Sequence, residues 1–383
     1  MSAQLGTAAR AASPHAAGRA TIDPAFSVYL DAVRFLAALV VVLSHSAQFH
    51  LYRGWVPLVH YAHDAVIVFF VLSGLVISAT AVRPGETWQK FAIDRSARIY
   101  SVTIPAILLC YGLAGLSGLL GNGAVLREIA RAPFAPAEAV TFLLQSWHFG
   151  ALPWNAPYWS LCYEVWYYAM FGFIFFGSGR RALWLAALAG LIAGPAILVL
   201  FPLWLLGVWI MRHRLSLTRL AAWAAIIASA AGIYVITGMQ ADTWLRHFLH
   251  DNVPSYWKLH DSQQMFTDYL VALLVTLNFV SVRAILREPA VARWVLKLKK
   301  PITWAAGYTF SLYLFHYPLV RFCEVHFPNR ADSLWQYLAV MTGIFVVIFL
   351  LGSVTEKKKN IVRALVQRMS ASIASRVPKL RRA

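Results

Sequence analysis

Residues 31–45 read DAVRFLAALVVVLSH: an apolar run that carries Asp31 and Arg34 at one end and His45 at the other. What such a segment means depends on the solvent around it. The 383-residue chain is 60% hydrophobic and only 13% charged, with a mean hydropathy of +0.60, whereas soluble domains carry about 25% charged residues. That composition excludes an ordinary soluble domain and predicts an all-α, polytopic transmembrane helix bundle. A net charge of +18 would suggest nucleic acid in a soluble protein. In a membrane protein it is the Lys and Arg excess of cytoplasmic segments, so the expected partner is the lipid bilayer and not nucleic acid. Cys110, Cys162 and Cys323 all fall within apolar segments and read as packing residues rather than a disulfide framework.

A bilayer core roughly 30 Å thick takes about 20 apolar residues per helix. This window gives about ten spans, near 27–49, 62–82, 99–120, 158–178, 182–200, 202–212, 219–238, 266–283, 303–325 and 334–354. The region 182–212 admits two readings, a pair of helices or one long helix kinked at its prolines. With ten spans and both termini in the cytoplasm, 26 of the 34 Lys and Arg residues fall on the inner side. Merging the pair would move Arg212, Arg214 and every later basic cluster to the outside, so the asymmetry favours the pair.

Three regions follow. Residues 1–25 are rich in Ala, Ser and Gly and read as a disordered cytoplasmic tail with no cleavable signal peptide. Residues 26–356 form the transmembrane domain. Residues 357–383 are a basic cytoplasmic tail, read as a helix on the anionic inner leaflet rather than as a catalytic element.

Within the first span, Asp31 and Arg34 stand three apart and can pair on one helix face. Arg34 and His45 stand eleven apart, about 16 Å along the axis, and return to nearly the same side. An ionised group at mid-helix costs roughly 2.5–3.5 kcal/mol on insertion scales, so these residues face protein or a watery cavity. Either they are a structural ion pair and a helix-end histidine, or they mark a path through the membrane.

Four other places bear on that choice. Arg95 and Arg98, one turn apart before the third span, suit a phosphate-rich ligand and serve equally as positive-inside anchors. Glu164 lies about one and a half turns into the fourth span and needs a partner or a proton at that depth. It is a candidate to orient His45, raise its basicity or share its proton, or else a structural hydrogen-bonding group. His316, after Ser311 and Tyr313 in the ninth span, reads as a packing group, a substrate-positioning group or a base. Asp64 marks the outer end of the second span, and Ser73 with Gly74 allows close helix approach or a narrow passage. The aromatic residues Trp147, Trp154, Tyr158 and Trp159 suit either sugar stacking or interfacial anchoring.

Taken in order, DAVRFLAALVVVLSH, FFVLSGLVI, RSARIY, YWSLCYE and SLYLFHYPL resemble the acyltransferase-3 family of integral membrane O-acyltransferases over roughly residues 27–356. The Arg-then-His spacing of the first helix is that family's most recognisable feature, here Arg34 and His45. The resemblance implies transfer of an acyl group, usually acetyl, from cytoplasmic acetyl-CoA to a hydroxyl of an extracytoplasmic glycan, in a bacterial inner membrane. It implies His45 and Glu164 as catalytic residues, and Asp31, Arg34, Arg95 and Arg98 as donor-binding residues. His316, Tyr313, Trp159 and Ser160 are then expected at the substrate, with no permanently bound cofactor and no metal. Ser101 follows Tyr100 where many members have proline; here the proline arrives at Pro105. A succinyl or other acyl transferase, and a proton-coupled transporter or flippase, remain open alternatives.

Overall fold

The computed structural model describes residues 22–147, 150–213, 215–254, 256–327 and 332–376. Most of the predicted N-terminal tail and the last seven residues therefore lie outside the described residues. Among the described residues the chain is all helical, with no strand.

Helix α1 spans Pro24–Gln48, with Pro24 pre-set for the first helical turn. Helix α2 spans Ala62–Ala81. Helix α3, Trp88–Leu119, begins where the Thr87 side chain accepts from the Lys90 amide, and it runs unbroken past Pro105. The loop after α3 holds α4 (Gly123–Arg131) and α5 (Ala135–Thr141). A 3-10 turn at Ala156–Tyr158 feeds α6 (Trp159–Phe176).

The region 182–212 is a pair of helices, α7 (Gly179–Ala193) and α8 (Pro195–Arg212). The break sits at Gly194, eight residues before the predicted one at Pro202. Gly194 takes φ +87°, a conformation open to glycine, and Pro195 starts the next helix, while Pro202 stays inside α8. Helices α9 (Arg219–Gly238), α10 (Ala241–Asn252), α11 (Met265–Ile285), α12 (Pro289–Lys297), α13 (Lys299–Ala306), α14 (Thr309–His326), α15 (Leu334–Val354) and α16 (Lys359–Arg376) complete the chain.

Among the described residues, seven helical segments are long and apolar enough to cross a membrane. The three other predicted spans are also helices, α6, α7 and α14. Helix α7 is only 15 residues long, and α6 and α14 carry the polar residues described below. Helix α2 lies at the centre, against α1, α6, α8 and α11. At the α2–α8 crossing a Cβ on Gly74 would stand 1.9 Å from the Trp204 carbonyl oxygen, and one on Gly207 would stand 1.9 Å from that of Val71. Two glycines thus let the backbones meet, the small-residue contact that membrane helices use. At the periphery α9 buries only Ala222 and Ser229. Leu220, Trp223, Ile227 and Tyr234 on α9 are exposed, as lipid contact requires.

Helix α16 packs along α3. Val362, Arg363 and Val366 are half-buried, and Ile361, Leu365 and Met369 are exposed. Residues 359–376 of the predicted basic tail therefore form a helix docked on the bundle, and 377–383 lie outside the described residues.

Candidate active site

Helices α1 and α14 pack against each other, and their contact joins two histidines from opposite ends of the chain. His45 Nδ1 lies 2.9 Å from His316 Nε2, with the rings stacked at 5.1 Å. His316 Nδ1 lies 2.8 Å from the carbonyl oxygen of Leu312, one turn back. A carbonyl only accepts, so the Nδ1 of His316 carries the proton. In the neutral ring its Nε2 is then an acceptor, and His45 Nδ1–H donates to it. The remaining lone pair of the dyad is on His45 Nε2. His316 is fully buried, whereas His45 is partly exposed, with the Tyr317 ring edge-on at 5.1 Å. Beside it, Ser44 Oγ donates to Leu58 O and Ser46 Oγ bonds the Tyr337 hydroxyl, which fixes this end of α1.

Toward the N-terminal end of α1, Arg34, Arg95, Arg98, Glu164, Tyr168 and Tyr313 line one cavity of about 80 Å³. Arg34 pairs with Asp31 at 2.7 Å, as the spacing predicts. The Nε atoms of Arg34 and Arg95 are buried without a hydrogen-bond partner, and Arg95 and Arg98 have no ion pair among the described residues. Such guanidinium groups around a cavity suit a phosphorylated ligand. A second cavity, about 300 Å³, adjoins on the side of Asp31 and Arg34. At the other limit of the first cavity stands Tyr313. Its hydroxyl donates to Pro157 O at 3.0 Å and bonds Ser160 Oγ at 2.6 Å. Its ring lies 6.3 Å from that of His316, so Tyr313 and Ser160 stand between the arginines and the dyad.

Glu164 does not sit where the sequence reading placed it. Its carboxylate accepts from Ser73 Oγ at 2.6 Å and from the Tyr168 hydroxyl, and Ser73 Oγ in turn accepts from Trp204 Nε1 at 3.2 Å. The carboxylate therefore belongs to the arginine cavity, and the partner of His45 is His316. The face of α6 that carries Glu164 bonds Ser73 of α2, in the cavity that Arg34 of α1 also lines. Tyr168 follows Glu164 by four residues, a spacing that could have identified it; the roles of Trp204 and Tyr317 had no such signal.

The aromatic residues also separate. Tyr158 is fully buried, with its hydroxyl on Ala139 O, and Trp154 is 3% exposed. Neither presents a face to a sugar or to the membrane interface. Trp159 stacks on His63 at 5.7 Å, leaving it half-buried. Trp147 is exposed, with its indole N–H on Leu191 O. Asp64 accepts from Thr237 Oγ1 at 2.6 Å. Nearby, His63 Nε2 meets the buried Asp268 at 2.9 Å, a pair that sequence reasoning missed.

A family model described as an acyltransferase domain matches residues 27–353. The chain belongs to the acyltransferase-3 family. No curated protein and no solved structure matches it. The family match takes in the histidine dyad and the whole arginine cavity and ends just before α16. The protein is thus an integral membrane acyltransferase, and its arginine cavity reaches Tyr313, whose ring neighbours that of His316. The two free, buried thiols, Cys110 and Cys162, lie outside that site.

Proposed function

We propose that the protein transfers an acetyl group from cytoplasmic acetyl-CoA to a hydroxyl of an extracytoplasmic glycan, in a bacterial cytoplasmic membrane. The observation that carries this reading is the His45–His316 dyad. It stands on the helix whose Arg34 opens the arginine cavity, about 16 Å away along the axis. The coenzyme phosphates stay with Arg34, Arg95 and Arg98, the pantetheine arm follows the cavity, and the thioester passes Tyr313 to reach His45.

In the transfer step His45 Nε2 takes the proton of the acceptor hydroxyl as its oxygen attacks the thioester carbonyl carbon. A C–O bond forms, the tetrahedral intermediate collapses with cleavage of the C–S bond, and the departing thiolate recovers the proton from His45. His316 stabilises the transient imidazolium by accepting from Nδ1–H, and its own orientation is set by Leu312 O. This is the logic of a base held by an orienting acceptor, with a neutral imidazole in place of a carboxylate. Glu164 keeps Ser73 and Tyr168 in place at the donor cavity.

Binding of acetyl-CoA to the purified protein, measured by calorimetry, tests the donor half. Saturable binding that Arg95→Gln weakens about tenfold or more supports it. Absence of binding by the native protein would return transport to the foreground.

A further inference from the structure

The cation cluster around Arg95 and Arg98 does not end with α3. Arg363 Nε on α16 lies 2.9 Å from Asp94 Oδ1, and this pair brings Lys359 and Asn360 to the edge of another cavity, about 150 Å³, whose facing wall includes Arg95 and Arg98. The two arginines are shared with the deeper cavity that leads to Tyr313. The family match stops at residue 353, before α16.

Charge decides what such a cavity can hold. Arg363 neutralises Asp94, whereas Arg95, Arg98 and Lys359 have no ion-pair partner among the described residues. Three unpaired cations and the Asn360 amide around one cavity suit a dianionic phosphate monoester. The order of groups in a coenzyme A thioester is fixed: thioester, pantetheine arm, pyrophosphate, then ribose with its 3′-phosphate. With the thioester toward the dyad and the pyrophosphate at the shared arginines, the group that arrives at α16 is the 3′-phosphate.

We infer that Lys359 and Asn360, together with Arg95 and Arg98, bind the 3′-phosphate of the donor nucleotide. The C-terminal helix is then a wall of the donor site, with its exposed stripe of Ile361, Leu365 and Met369 left to the lipid. This rests on the acetyl-CoA reading given above. An anionic lipid headgroup offers related chemistry at the same depth, and the test separates the two sources.

Full-length protein in nanodiscs, with and without phosphatidylglycerol, is titrated with acetyl-CoA and with its 3′-dephospho analogue. The native protein is expected to bind acetyl-CoA about tenfold more tightly than the analogue. Lys359→Gln is expected to remove that preference by weakening acetyl-CoA alone, and Lys359→Arg to restore it, with lipid composition immaterial. Equal weakening of both ligands, no effect of Lys359→Gln, or an effect confined to phosphatidylglycerol nanodiscs would overturn the inference while leaving donor binding intact. Failure of the native protein to bind either ligand would overturn the donor reading as well.

Discussion

His45 and His316, 271 residues apart in the chain, meet Nδ1 to Nε2 at 2.9 Å, and the carbonyl of Leu312 fixes which of the two keeps a free lone pair. The direction of that relay, from Leu312 O through His316 to His45 Nε2, makes unequal demands on the two rings. His45 must exchange a proton with substrate, whereas His316 needs only to accept.

His316→Ala is therefore expected to lower kcat by roughly 10²–10⁴-fold, the range for loss of a general base's support, with the donor KM nearly unchanged. His316→Gln, whose amide oxygen can still accept from His45, should retain more activity than His316→Ala. Steady-state kinetics of the two variants check the order; the reverse order would mean that His316 itself exchanges the proton.

Glu164→Gln should act at the donor. The carboxylate holds Ser73 and Tyr168 beside the arginines, so the variant should change the Kd for acetyl-CoA, by about tenfold for one charge-assisted bond. The pH dependence of kcat should stay as in the native protein. A shift in the pH profile would instead tie Glu164 to the base.

Gly207→Ala places a methyl group against the Val71 carbonyl oxygen, 1.9 Å from it before any shift. Overpacking of this kind costs about 1–3 kcal/mol. The thermal unfolding midpoint in detergent should fall, together with activity. Gly238→Ala, whose Cβ meets nothing within 4 Å, serves as the control.

Asp261, in the segment before α11, has its carboxyl pushed up to about 6 by burial, with His63 opposing the shift. A raised pKa means that the folded state binds the proton more tightly than the unfolded chain. The stability it contributes is complete below about pH 4 and is lost as pH rises through about 6. Asp261→Asn should therefore raise the unfolding midpoint at pH 7.5 and leave it nearly unchanged at pH 4. The gain is bounded by about 3 kcal/mol for a shift of two units. A variant equally stabilised at both pH values would contradict the assignment.

The parts of this molecule legible in the sequence are those governed by local spacing. Asp31 and Arg34 pair because three residues make a helical neighbour, and the basic asymmetry distinguishes a pair of helices from one kinked helix in 182–212. The break itself lies at Gly194 rather than Pro202, because a glycine at φ +87° turns the chain, whereas Pro202, about two turns into α8, leaves that helix continuous. The dyad was not legible. His45 and His316 were each visible as polar groups in apolar helices, but which of Glu164 and His316 faces α1 depends on how α6 and α14 rotate about their axes. That rotation is set by packing and not by hydropathy. Trp154 and Tyr158 were unreadable for a similar reason, since an aromatic residue near a helix end looks the same in sequence whether buried or interfacial.

The most direct test of the central claim uses membranes from cells expressing the native protein or His45→Ala, with acetyl-labelled coenzyme A supplied on the cytoplasmic side and label followed into glycan. The account predicts label in glycan with the native protein and none above background with His45→Ala, at equal protein levels. Equal labelling with both would contradict it and remove His45 from the chemistry.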